Sequence, residues 1–195
     1  IDLGSAKRNV VVGNNVTVGS TGRGFSAGGD KNNISNNTIW VNGTVNGMTI
    51  GSSIGAIIDS NVITTLNGHG FTHNSANALN FTNNNITVLG TAQGIRQTGD
   101  ALIGINGYYM NNNFTIRGVE TAVAVIGILI GGGSRTNVIG NKILTNGTLS
   151  DGIKIDSGGS GGNHVVANNT VNVTSSTSYA ITITSGSENI RIETK

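Results

Sequence analysis

One phrase returns seven times along this chain and decides what it can fold into. An apolar residue is followed three positions later by an asparagine, and two positions after that by a second apolar residue. The asparagines are Asn14, Asn37, Asn61, Asn84, Asn112, Asn141 and Asn169. The first apolar residue is Val11, Ile34, Ile58, Phe81, Tyr109, Val138 or Val166, and the second is Val16, Ile39, Ile63, Ile86, Phe114, Ile143 or Val171. Successive copies lie 23, 24, 23, 28, 29 and 28 residues apart, and an eighth begins at Ile190 and Ile192. A recurring period of this length marks a solenoid, in which each repeat is too small to bury its own apolar face and stacks on its neighbour instead.

A second element recurs between the asparagine phrases. It is a glycine followed by an apolar residue: Gly24-Phe25, Gly47-Met48, Gly70-Phe71, Gly94-Ile95, Gly127-Ile128 and Gly152-Ile153, with Ala180-Ile181 in the seventh repeat. Each coil of 23–29 residues therefore holds three short strands separated by turns. Composition agrees. There are 29 asparagines, 31 glycines and 23 threonines with only 10% charged residues, which suits turns and strands and not solvated helix faces. The fold class is all-β: a parallel solenoid of seven to eight coils, roughly 35–40 Å long at one strand spacing of ~4.8 Å per coil. The asparagines are expected at a sharp corner, in the left-handed conformation that Asn tolerates, with Gly13 and Gly140 in the preceding column supporting the turn. Stacked in register, their amides form a ladder, each donating to the next.

This pattern resembles the right-handed parallel β-helix superfamily of pectate-lyase-like enzymes and phage tailspikes. The resemblance covers essentially all of residues 1–195 as one domain, read as a segment of a longer chain or an uncapped assembly unit. It implies an extracellular, cell-surface or virion protein that meets polysaccharide. It carries no single activity, because the fold hosts many.

The linkers point to one face. Extra residues fall at 98–106, 117–127 and 157–162, so coils four to six are enlarged on both sides of the glycine-led strand. Outward residues there are Arg96, Leu129 and Lys154, with Asp151 at the edge and Asp100, Glu120 and Asp156 on the loops. The resemblance implies sugar binding along this strip. Hydrolysis of a glycosidic bond needs two carboxyl groups some 5–10 Å apart, for which Asp151, Asp156, Asp100 and Glu120 are candidates. An elimination mechanism would take Arg96 or Lys154 as base, with Ca²⁺ to neutralise charge; otherwise no cofactor is implied. The same carboxylates also suit turns beside Gly, Ala or Ser, and the same cations suit a solvated strand face.

Other features are weighed against this strip. Trp40 should face outward in a column reading Thr17, Trp40, Thr64, Thr87, Thr115, Leu144 and Asn172. With Tyr108 it offers an aromatic platform for a sugar ring or a partner subunit. "GHG" at 68–70 and "RIE" at 191–193 are similar to two polygalacturonase motifs, but the Asn-x-Asp and Asp-Asp pairs that family carries upstream of its histidine are missing. His69 is read as a turn residue, His73 as an inward residue beside Gln97, and His164 as isolated; three separated histidines make no zinc site. Ten Asn-x-Ser/Thr sequons follow from the repeat, which places Thr after the turn.

The partners expected are polysaccharide and further copies of the chain, as a homo-oligomer or end to end. The terminal repeats read as open strand edges, and 122–130, with outward Met110, Ile139 and Leu144, is too apolar for a solvated strand unless the neighbouring insert covers it. Nucleic acid is not expected, since the net charge is +2 and the basic residues are scattered. Nor is membrane insertion, since no apolar run approaches the required length.

Overall fold

A computed structural model describes residues 1–74, 77–90, 92–98, 107–117, 126–131, 135–147, 150–156, 162–184 and 189–193, with the backbone alone at 96–98. All of its regular elements are short strands, and every pairing is parallel. They stack into three sheets, each taking one strand from each coil. The first sheet has eight strands, from Val10–Val12 to Arg191–Glu193; the second has seven, from Asn15–Val18 to Thr170–Val173; the third has seven, from Phe25–Ala27 to Ile181–Ile183. The chain is a parallel β-solenoid, with seven steps from coil to coil along the first sheet and six along each of the other two.

The register is the one the repeat demands. Ile34 stands over Val11, Ile58 over Ile34 and Phe81 over Ile58; Ile192 continues that column over Val166. These residues point inward. Along Thr38–Val41 burial alternates exposed, buried, exposed, buried, and the same alternation recurs in Val62–Thr65 and Asn85–Val88 with the second outer residue half-buried. The core is a stack of inward columns, with Ile34, Ile58, Ile63, Phe71, Phe81, Phe114 and Ile128 all fully buried.

The asparagine column forms a continuous ladder. Each Oδ1 accepts from both the backbone N–H and the side-chain Nδ2 of the asparagine one coil earlier, with side-chain distances of 2.9–3.1 Å from Asn14 to Asn169. Each Nδ2 also reaches backbone carbonyls: Asn61 donates to Ile34 at 2.9 Å and Asp59 at 3.1 Å, sharing its two hydrogens among three acceptors. Amides that would be costly to bury singly are satisfied here as a column.

One detail of the corner differs from expectation. The left-handed residue is the one before each ladder asparagine: Gly13, Asn36, Ser60, Asn83, Asn111, Gly140 and Asn168, with φ of 53–72°. The preceding residue makes the bend with its side chain outside, and the ladder asparagine then points its amide into the coil.

The glycine-led strand has a packing cause. A Cβ at Gly47 would lie 2.7 Å from the carbonyl oxygen of Gly70 and 2.4 Å from Ile63 Cγ2; at Gly94 it would lie 2.5 Å from the carbonyl oxygen of Gly127. No φ strain is involved. The backbone of the next coil occupies the place of the side chain. Ala180 takes the same position on the last strand of the third sheet, where the described residues stack no further coil over it.

Candidate functional site

The outward row of the third sheet runs Ser26, Thr49, Thr72, Arg96, Leu129, Lys154 and Thr182, each in register with the next. Arg96, Leu129 and Lys154 thus share the row expected of them. The insert residues Asp100 and Glu120, and nearly all of the loops expected to wall the face, lie outside the described residues, as does the side chain of Arg96.

A cleft of about 460 Å³ opens on this face at coils two and three, lined by Asn46, Thr49, Ile50, Gly51, His69, Thr72, His73 and Asn74. Its polar groups are already organised. Asn46 Nδ2 donates to Thr72 Oγ1 at 3.0 Å and Thr49 Oγ1 at 3.4 Å, and Thr72 Oγ1 donates to Thr49 Oγ1 at 3.1 Å. His69 stands in the turn before the glycine, and its Nδ1 accepts the backbone N–H of Gln93 at 3.0 Å. That bond needs a lone pair on Nδ1, so the neutral ring carries its proton on Nε2. Gly51 leaves the wall without a side chain. Amides, hydroxyls and an imidazole that line an open trough can exchange hydrogen bonds with sugar hydroxyls. Among the described residues that line it there is no carboxylate.

Under this cleft the core is aromatic. Phe71 and Phe81 have ring centroids 4.4 Å apart, and Phe81 and Tyr109 6.1 Å. His73 points inward as expected, and its Nε2 and Tyr109 Oη form a short hydrogen bond in the buried interior. Gln97 is in register with His73, with its side chain outside the described set. Burial raises the Tyr109 hydroxyl pKa well above its ordinary value.

The carboxylates nominated at coil six are engaged with the next coil. Asp151 Oδ1 accepts the N–H of Tyr179 at 2.9 Å, and its Oδ2 accepts the Thr182 hydroxyl at 2.8 Å. Asp156 accepts the Thr184 hydroxyl at 2.8 Å and faces Lys154 Nζ at 3.9 Å. The described residues contain no group of three or more His, Asp or Glu side chains able to hold a metal, and no helix long and apolar enough to cross a membrane.

Trp40 is 43% exposed on the second sheet, in register between Thr17 and Thr64, and Tyr108 is 40% exposed on the first sheet. The two platforms therefore stand on different faces, and neither lines the cleft. Met110, Ile139 and Leu144 do lie on outward rows and are half-buried; residues 122–125 lie outside the described set. The cleft residues Asn46, Thr49, Thr72 and Asn74 were missed in the sequence. Their signal was present: Thr49 and Thr72 each stand two places after a repeat glycine, which sets them on the outward row. Comparisons with family models, curated proteins and solved structures returned no match.

Proposed function

We propose that this chain is a polysaccharide-binding β-helix of the pectate-lyase-like and tailspike-like kind, part of an extracellular, cell-surface or virion protein that works as an oligomer. The observation that carries the reading is the cleft on the third sheet. Adjacent coils there present pre-bonded hydroxyl and amide groups in register, at the spacing of the strands, in an open trough. Repeated donors and acceptors fixed on a rigid sheet match the repeated hydroxyls of a glycan without further ordering, which keeps the entropic cost of binding low. Arg96, by its backbone register, and Lys154 continue the same row toward coils four to six. Trp40 and Tyr108 serve separate contacts, with glycan or with neighbouring subunits. Binding of this kind needs no cofactor; Ca²⁺ enters only if the chain also eliminates.

A non-catalytic shaft is the second reading. Asp151 supports it, because both of its oxygens are taken up in joining coil six to coil seven.

A glycan array, followed by assays for new reducing ends and for unsaturated products, separates binder, hydrolase, lyase and shaft. For a binder, the isosteric pair Thr49→Val and Thr72→Val lowers affinity by about tenfold to a hundredfold, at roughly 1 kcal/mol for each lost hydrogen bond. Unchanged affinity in that pair removes the cleft as the site. If Asp151→Asn and Lys154→Ala alter neither binding nor turnover, the strip at coils four to six is removed as well.

A further inference from the structure

The corner between the third and first sheets has an inward column of its own: Asn9, Asn32, Ala56, Leu79, Gly107, Thr136 and His164. Its members fall one residue after the third-to-first turn's left-handed position or in register with one that does. At its start it repeats the amide ladder, with Asn9 N and Nδ2 both donating to Asn32 Oδ1 at 2.9 and 3.0 Å. Near its end the pattern is incomplete. The backbone N–H of Thr136 donates to His164 Nδ1 at 3.4 Å, as an asparagine N–H donates to the next amide oxygen. Yet Thr136 Oγ1 and His164 Nε2, on adjacent coils and both buried, have no hydrogen-bond partner among the described residues.

Buried polar atoms left without a partner are rare in folded proteins, and where they occur ordered water ordinarily satisfies them. The protonation pattern fits. Nδ1 accepts a hydrogen bond, so the neutral ring bears its hydrogen on Nε2, which needs an acceptor. The Thr136 hydroxyl both donates and accepts. We propose that an internal water molecule is bound between Thr136 and His164, accepting from His164 Nε2–H and exchanging a hydrogen bond with Thr136 Oγ1, as a fixed part of the coil. This water does for the histidine what Asn32 does for itself through the carbonyls of Ala6 and Gly29.

The test is a crystal structure of the full chain that resolves ordered water, together with nitrogen chemical shifts of His164 and magnetisation transfer from water to its ring N–H. Expected are a water within hydrogen-bonding distance of both atoms, an Nε2–H tautomer and a long-lived water contact at that proton. In Thr136→Val, which keeps the shape of the side chain, the water contact should be lost or its occupancy should fall severalfold. A His164 Nε2 bonded directly to a protein carbonyl, an Nδ1–H tautomer, or a water signal unchanged in Thr136→Val would each overturn the proposal. The wild-type tautomer and water contact decide it even if the variant fails to fold.

Discussion

The two left-handed corners of the coil have nearly the same backbone and very different side chains. At the corner between the first and second sheets, two residues connect the strands in all seven coils, and the second is always the ladder asparagine. At the corner between the third and first sheets, the left-handed residues are Arg8, Lys31, Gly55, Ala78, Arg135, Asn163 and Asn189, with φ of 52–69°, but the inward column changes from amide to apolar to Thr and His. The bend therefore does not require asparagine. What the ladder adds is register. The step from Asn61 to Asn84 spans 23 residues and that from Asn84 to Asn112 spans 28, yet the amides meet at 3.0 and 3.1 Å. Added length is carried in the other connections, while the short corner keeps the coils aligned.

The contrast is broken most directly by removing a central ladder amide. Asn84→Ala leaves the Asn61 N–H without its acceptor, removes one of the three acceptors of Asn61 Nδ2, and takes a donor from the carbonyls of Ile58 and Thr82. At about 1–3 kcal/mol for each buried group left unpaired, the loss should be about 3 kcal/mol or more. Asn9→Ala, at the exposed start of the other corner, should cost far less; equal losses in urea unfolding would end the claim that the two corners differ. Gly70→Ala comes next. Its Cβ would sit 2.3 Å from Ile86 Cγ2 and 2.8 Å from the carbonyl oxygen of Gly94, so overpacking should cost about 1–3 kcal/mol.

Strain at the variable corner supplies a smaller effect of opposite sign. Ala78 holds φ at 53°, where a non-glycine residue loses about 1–2 kcal/mol. Ala78→Gly relieves this but loosens the unfolded chain, so the net gain should be about 0.5–1 kcal/mol, read as a higher urea midpoint. His164 gives that corner a pH dependence of its own. Burial lowers its pKa below the ordinary 6.5, so the folded chain keeps the ring neutral while the unfolded chain takes up a proton. Its contribution is whole above about pH 6.5 and is lost as pH falls toward the lowered folded value. The difference in unfolding midpoint between wild type and His164→Asn should therefore change between pH 7 and 5, and a constant difference would refute the assignment. Smallest of all is Lys154→Ala: the ion pair with Asp156 is open to solvent at 3.9 Å and should be worth less than about 0.5 kcal/mol.

Asp59 marks a second pH-sensitive point, on the first sheet. Burial by itself would raise its carboxyl pKa, but hydrogen bonds from Thr82, Ser60 and Asn83 outweigh that and hold it below the ordinary 3.8. It stabilises the fold at neutral pH and ceases to do so as pH falls below that value.

Much of the fold was legible because each asparagine meets the same surroundings as the last. Asn61 and Asn112 sit in equivalent places, so the spacing alone marked the ladder, and the glycines before Met48 and Phe71 marked the third sheet. The short second ladder was legible in principle, since Asn9 and Asn32 share the 23-residue step, but two members do not make a period. Less of the site could be read. The cleft at Asn46, Thr49 and Thr72 consists of ordinary strand and turn residues. What sets it apart is the missing side chain at Gly51 and the hydrogen bonds between coils, not any distinctive motif.

The sequence by itself determined the three-strand coil, the stacking of like on like and the unbroken amide column, because a periodic pattern of inward and outward residues has a single arrangement that buries every apolar face. Only the tertiary structure decided which unlike columns meet across the interior. His73 finds Tyr109, 36 positions along the chain on another sheet, because ring volumes in the core bring their polar tips together. It also decided that the left-handed bend falls one residue before the ladder and that Asp151 spends its oxygens on the following coil. Such contacts depend on side-chain size and direction in three dimensions, which spacing along a chain does not encode.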